Sequence, residues 1–178
     1  MSERRLFVPG ERLAGGRLTL EGPEHQYIGR VLRARPGDTL TLFDGVGGEI
    51  EAHVVQVARD LTELALGARR TVGGPAVSLT LLTAVPRGPR MDFLVQKAAE
   101  LGVARLVPLV TARSVARPEP DAGRRGRWEK IAREAARQCG RADVPAVEAP
   151  VLLATALAAP DLPLRRFALF EGDTARAL

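Results

Sequence analysis

Along residues 39–57, TLTLFDGVGGEIEAHVVQV, apolar and polar positions alternate on both sides of Asp44-Gly45. A period of two is the spacing of a half-buried strand, and Asp-Gly supplies the positive φ of a tight turn, so the segment predicts a β-hairpin. RLFVP and GRLTL before it, and LTELALGA after it, read as further short strands. Between them, PEHQYIGRVLRAR places Ile28, Val31 and Leu32 on one helical face, with Pro23 suited to a first turn. Short strands with one helix predict a small β-barrel over residues 1–72.

The pattern changes after RTVGGPA, residues 70–76, whose Gly73, Gly74 and Pro75 mark a boundary. VSLTLLTAV is a near-continuous apolar run, as expected of a strand covered on both faces. A helix follows from about Met91 to Leu101, with Leu94, Ala98 and Leu101 as its packing stripe and Gly102 as a left-handed cap. ARLVPLV reads as a second buried strand, and a helix from about Arg127 to Cys139 ends before Gly140. APVLLATALAA reads as a short helix, and RRFALFEGD as a third strand and turn. Strand–helix–strand–helix–strand predicts a parallel α/β sheet over residues 75–178.

Composition narrows the chemistry. One cysteine, Cys139, excludes an internal disulfide. Its place on the apolar helix face makes it a small core residue. The N-terminal MSERRLFVPGERL has no long apolar run, and no stretch is long enough to span a bilayer. The expectation is a soluble, intracellular protein with no membrane partner. The net charge is +5. Residues 1–70 balance acids against bases, so the whole excess falls in the second part. A basic balance favours an anionic partner, nucleic acid first. All but two of the 26 basic residues are arginine, however, which biased base composition also produces.

On the helix from 127 to 139, Trp128, Ile131, Ala132, Ala135 and Cys139 share one face. Lys130, Arg133, Arg137 and Arg141 fall opposite, either as a solvated exterior or as a phosphate-tracking stripe. Lys97 and Glu100 are three apart and can simply pair on a helix surface. The carboxyl ends of parallel strands form the usual ligand crevice. Topology therefore brings Arg87, Arg90 and Arg113 to one edge, with Gln96 and Glu100 pointing along it. Two histidines and one cysteine give no zinc or Cys-His spacing, so no metal is expected. No Gly-x-Ser-x-Gly or Walker-type loop occurs, and Gly45-Val46-Gly47-Gly48 is a hairpin turn. His25, close to Arg30 and Arg33, suits a capping role or an RNA contact equally.

Four blocks taken together resemble a known family. HQYIGRVLRARPGD with LFDG, PRGPRMDFLVQKAAELGV, VPLVTARSV, and RWEKIAREAARQCGRADVPAV stand in the order and spacing of the RsmE-type 16S rRNA uridine-N3 methyltransferases, members of the SPOUT (trefoil-knot) superfamily. The resemblance implies a small PUA-like β-barrel that helps hold RNA, then a SPOUT-type parallel α/β domain: α/β, or α+β overall. It implies transfer of a methyl group from S-adenosyl-L-methionine to N3 of one uridine in the 16S rRNA of the small ribosomal subunit. It also implies a cytoplasmic homodimer. His25, Arg30, Arg33, Arg87, Arg90, Arg113 and Arg141 are then candidate RNA contacts. Gln96, Lys97, Glu100 and Gln138 would orient the RNA loop or the partner subunit. Phe170, Glu171 and Gly172 would stand at the edge of the cofactor pocket, and no catalytic base is assigned.

The family's later cofactor loops are not found before Leu178. The C-terminal knot is therefore expected to be absent from this chain, which alone would not methylate RNA and would be poorly soluble or dimerise. Two other readings compete: a non-catalytic RNA-binding module with a basic α/β platform, and a small-molecule α/β enzyme that ignores nucleic acid. RNA affinity that falls steeply with salt separates the last from the others.

Overall fold

The computed structural model describes residues 4–86, 88–112 and 122–169. The first unit is a five-stranded sheet built from β1 (Arg5–Phe7), β2 (Arg17–Glu21), β3 (Thr39–Phe43), β4 (Gly48–Val57) and β5 (Leu61–Thr71). Its order is β1-β3-β4-β5-β2, antiparallel except for β1 beside β3. The predicted hairpin is β3–β4, with Thr39 opposite His53 and Phe43 opposite Glu49. Two register shifts, at Ile50/Ala52 and Val54/Gln56, bend the long β4–β5 ladder and curl the sheet around its core. That core is Leu18, Leu20, Leu40, Leu42, Ile50, Val54 and Leu64, capped by Ile28. Among the described residues β1 and β2 remain edge strands, so hydrogen bonding curls this sheet without closing it.

The predicted helix of this unit is shorter than its pattern. Helix α1 covers Gly22–Gln26 and continues as one π-helical turn over Tyr27–Val31. Ile28 is buried and Leu32 packs against the core, but Val31 is 64% exposed. Arg33, at a φ of 49°, ends the helix.

The second unit is a parallel sheet of β6 (Thr80–Ala84), β7 (Arg105–Val110), β8 (Ala146–Val147) and β9 (Val151–Leu152). Helices α2 (Arg90–Glu100) and α3 (Ala122–Cys139) cross over one face. There Met91, Val95, Trp128 and Ala132 pack on Leu106 and Val147. The short α4 (Leu153–Leu157) covers the other face, with Ala156 against Val107 and Leu109. Glycines 102 and 140 have the positive φ expected of caps after α2 and α3.

Several expectations are corrected here. Of RRFALFEGD, expected as the third parallel strand, the described residues 165–169 hold only an isolated β-bridge at Phe167, and residues 170–173 lie outside the description. That place is taken by β8 and β9, which pair with β7 on one edge as a single interrupted strand. The interruption has a reason. Leu106 accepts from Glu148 N–H, so alternate residues of β7 face this edge, and Pro108 among them has no N–H to offer. The VSLTLLTAV strand is not covered on both faces. β6 is an edge strand with half-buried residues, and Leu79 before it is half exposed. On α2 the buried residues are Met91, Val95, Ala98 and Ala99; of the expected stripe, Ala98 is among them and Leu94 packs half-buried on the same core, but Leu101 is 82% exposed. Cys139 is exposed too, its thiol donating back to the Ala136 carbonyl at 3.6 Å.

Candidate functional site

The two units meet along the carboxyl-terminal half of α3 and the residues that lead into β8. Phe7 and Phe43, edge to face at 5.6 Å, pack with Ala136, Ala142 and Val144. The β3–β4 loop reaches the same place. Gly47 N–H donates to Ala142 O at 3.1 Å, and Val144 N–H donates to Gly45 O at 2.9 Å. Gly45 has a φ of +81°, and a Cβ there would stand 2.9 Å from the Phe7 ring. Asp44, with no exposed side-chain surface, shapes the loop by accepting from Val46 N–H and Gly48 N–H at 2.9 and 2.8 Å, and from Arg69. The glycine-rich turn is therefore a joint between the units.

Buried ions reinforce the joint. Arg5 donates to Glu49 at 2.6 Å and to the Arg141 carbonyl at 3.1 Å, and its guanidinium lies 5.3 Å from the Phe43 ring centre. Arg70 closes on the other oxygen of Glu49 at 2.7 Å. Arg141 does not join an outward stripe. It is 13% exposed and donates to Asp143 at 2.5 Å, to the Ala99 carbonyl and to the Val103 carbonyl. It pins the end of α2 to the joint.

These Arg141 hydrogen bonds hold the Asp143 carboxyl below the ordinary carboxylate range, although burial pushes it up. A depressed folded pKa gives stability that is present above the unfolded value, about 3.9, and lost as pH falls through the folded value. Asp143→Asn should therefore flatten the loss of stability below about pH 4, read by urea unfolding at stepped pH. Parallel pH curves for the variant and its parent would remove this role from Asp143.

The other predicted residues separate into two ends of the sheet. Arg90 starts α2 beyond the carboxyl end of β6 and is exposed there, with Thr111 following β7. Arg87, Arg113, Phe170, Glu171 and Gly172 lie outside the described residues. Glu100 does not share Arg90's edge: it sits at the far end of α2, about 15 Å away at 1.5 Å per residue. It accepts from Lys97 at 2.6 Å and Gln96 at 2.9 Å, and these two bonds hold its carboxyl below its usual range. Gln138 is exposed and shares a shallow groove between α2 and α3 with Gln96. In the first unit, Arg30 and Arg33 are exposed. Both nitrogens of the His25 ring are engaged, by Thr62 Oγ1 at 2.9 Å and the Arg59 carbonyl at 3.1 Å, so His25 ties α1 to β5.

The basic face of α3 also divides. Arg137 lies 4.5 Å from the Tyr27 ring centre and pairs with Glu134, and burial holds its guanidinium below the ordinary arginine range. Arg133 lies 5.4 Å from the Phe7 ring centre. Both arginines face the first unit across a cleft of about 470 Å³. The sequence put these residues on one stripe but carried no sign of their ring partners, more than a hundred residues earlier.

Residues 74–177 match the family model described as an RNA methyltransferase domain, and residues 20–62 match an RNA methyltransferase PUA domain. The chain belongs to the RsmE-type RNA methyltransferases. Among similar proteins is the ribosomal RNA small subunit methyltransferase E of Synechocystis, 31% identical over 147 residues, covering 83% of this chain and 48% of that one. Its counterpart in Bacillus subtilis is 29% identical over 132 residues, covering 72% and 52%. The chain thus spans about half the length of the curated relatives it matches. A putative methyltransferase of Legionella pneumophila, solved with bound cofactor SAM, superposes with a TM-score of 0.82 at 31% identity, over 93% of this chain and 70% of that one. The ribosomal RNA small subunit methyltransferase E of Neisseria gonorrhoeae, bound to S-adenosyl methionine, gives 0.79 at 31% identity, over 91% and 67%.

Two cavities of this RsmE-type chain fit that cofactor poorly. The cavity under α4 holds about 110 Å³, less than the 300 Å³ or so at which ligand pockets begin. The cleft beside α3 is large enough, but it is lined by four cations and two carboxylates, a poor host for a sulfonium. Among the described residues no group of three or more His, Cys, Asp or Glu could hold a metal ion, and no helix is long and apolar enough to cross a membrane.

Proposed function

We propose that this protein is an S-adenosyl-L-methionine-dependent methyltransferase acting on N3 of one uridine in the 16S rRNA of the small ribosomal subunit. The superposition on the cofactor-bound Legionella and Neisseria proteins carries this reading. N3–H lies on the Watson–Crick edge, so the target base must be unpaired and turned toward the methyl donor, and its proton must leave. The cofactor, when bound, supplies an electrophilic methyl group. What this chain's own residues supply is RNA binding and orientation. In this reading Arg30, Arg33, Arg87, Arg90 and Arg113 contact RNA, while His25, Gln96, Lys97, Glu100, Gln138 and Arg141 hold the elements that carry those contacts. Phe170, Glu171 and Gly172 border the cofactor. Residues 1–72 form a PUA-like RNA-holding unit, and residues 75–178 belong to a SPOUT-type domain. The protein works in the cytoplasm as a homodimer. Exposed Phe93, Leu101, Leu164, Phe167 and Leu169 support a covered apolar surface.

The test is transfer of labelled methyl to small-subunit RNA, mapped at nucleotide resolution. Label on N3 of a single uridine is the expected product. Label on a ribose or a base carbon would overturn the reading. Firm RNA binding with no transfer would favour a non-catalytic RNA-binding module.

A further inference from the structure

We propose that the cleft between the first unit and α3 seats the phosphate backbone of single-stranded RNA, with Lys130 and Arg133 as the contacting cations. The inference rests on the reading of the protein as RNA-binding. Its origin is a charge count within the cleft. Arg12, Lys130, Arg133 and Arg137 line it, against Glu24 and Glu134. Both acids are engaged: Glu24 by Arg12 at 2.8 Å and Glu134 by Arg137 at 2.5 Å. Lys130 is exposed, and neither it nor Arg133 has an acidic partner among the described residues. Two cations are thus left uncompensated between the apolar walls of Leu6, Phe7 and Tyr27, where low-dielectric surfaces focus their field.

The rings determine what kind of anion fits. A nucleobase platform needs a free aromatic face. Here Arg137 already lies over Tyr27 and Arg133 over Phe7. The cleft therefore offers charge without stacking, which suits a phosphodiester and gives no preference among bases. Lys130 and Arg133 are three residues apart on α3, one turn of the helix, so both point into one groove. Arg133 also lines a second cleft of about 280 Å³ on the far side of Phe7, where Arg125 is paired with Glu129. Arg133, like Phe7, is thus shared by both clefts.

The experiment measures binding of a short oligoribonucleotide to the 178-residue chain as salt rises, using a mixed-sequence and a homopolymeric strand. Each phosphate contact on a single strand contributes about 0.7 to the slope of log affinity against log salt. Lys130→Gln/Arg133→Gln should lower the slope by about 1.4 and weaken binding about ten-fold or more at low salt, equally for both strands. Lys130→Gln alone, at an exposed site, should lower it by about 0.7 with an unchanged unfolding midpoint. Arg133→Lys, which keeps the charge, should keep the slope. An unchanged slope in the double variant, with the parent binding RNA, would overturn the cleft and leave the RNA reading standing. A loss in Arg133→Lys equal to that of the glutamine variant would reduce Arg133 to a packing group and overturn its contact. A parent that does not bind RNA at low salt would remove the RNA reading and the cleft together.

Discussion

Replacing Glu49 by alanine should lower the unfolding free energy by about 3–5 kcal/mol. Glu49 and Arg5 are 3% and 4% exposed, with 2.6 Å between their closest charged atoms. Taking away the carboxylate leaves a guanidinium in the interior without its buried counter-charge, and the Arg141 carbonyl and the Phe43 ring offset only part of the desolvation penalty. Arg70 can turn to water once Glu49 is gone, since its own side chain is 68% exposed, but Arg5 cannot. The pair Arg5→Met/Glu49→Leu should restore most of the loss, because an apolar pair of similar volume needs no desolvation. Urea unfolding of the two variants checks both statements. A loss below about 1 kcal/mol for Glu49→Ala, the range of an exposed ion pair, would show that water reaches this site. The consequence extends to function, because Arg5 also holds the Arg141 carbonyl and so sets how the first unit meets α3.

Trp128→Ala should cost about 3–5 kcal/mol by a different route. The indole is 2% exposed and fills the space between α2, α3 and the parallel sheet, against Met91, Val95, Leu106 and Val147. Truncation opens a cavity that two helices tied to strands on either side cannot readily close. Trp128 is the single tryptophan, so the measurement is far-ultraviolet circular dichroism through a urea titration and not fluorescence. The small unit has its own core, which does not include Trp128. A loss near that of a surface substitution, within about 0.5 kcal/mol, would mean that α3 is not held by this contact.

The two variants mark what was legible in different ways. Trp128 could be placed from sequence because its neighbours on the wheel, Ile131, Ala132 and Ala135, repeat at the helical period. Glu49 could not. It lies in an alternating strand where a glutamate reads as solvent-facing, and its buried partner is forty-four residues away. Arg141 failed for the same reason. The wheel put it with Lys130 on an outward face, whereas the end of α3 lies under the first unit, and its guanidinium turns inward to backbone carbonyls. The stripe of α2 failed only at Leu101, which belongs to the helix cap, where the chain turns away from the core.

The sequence by itself determined the two-unit order, the Asp-Gly hairpin, the two crossover helices with their glycine caps, and the family. Each of these rests on local rules: the period of side chains along a strand or helix, the φ that a turn requires, and motifs held in one short segment. Tertiary structure alone decided which charges are engaged and which are open. Arg133 and Arg137 share a helix face, and the rings they lie over, Phe7 and Tyr27, come from a strand and a turn at the other end of the chain. Burial, long-range pairing and the closing of a groove depend on contacts between residues far apart in sequence, and no local period encodes those.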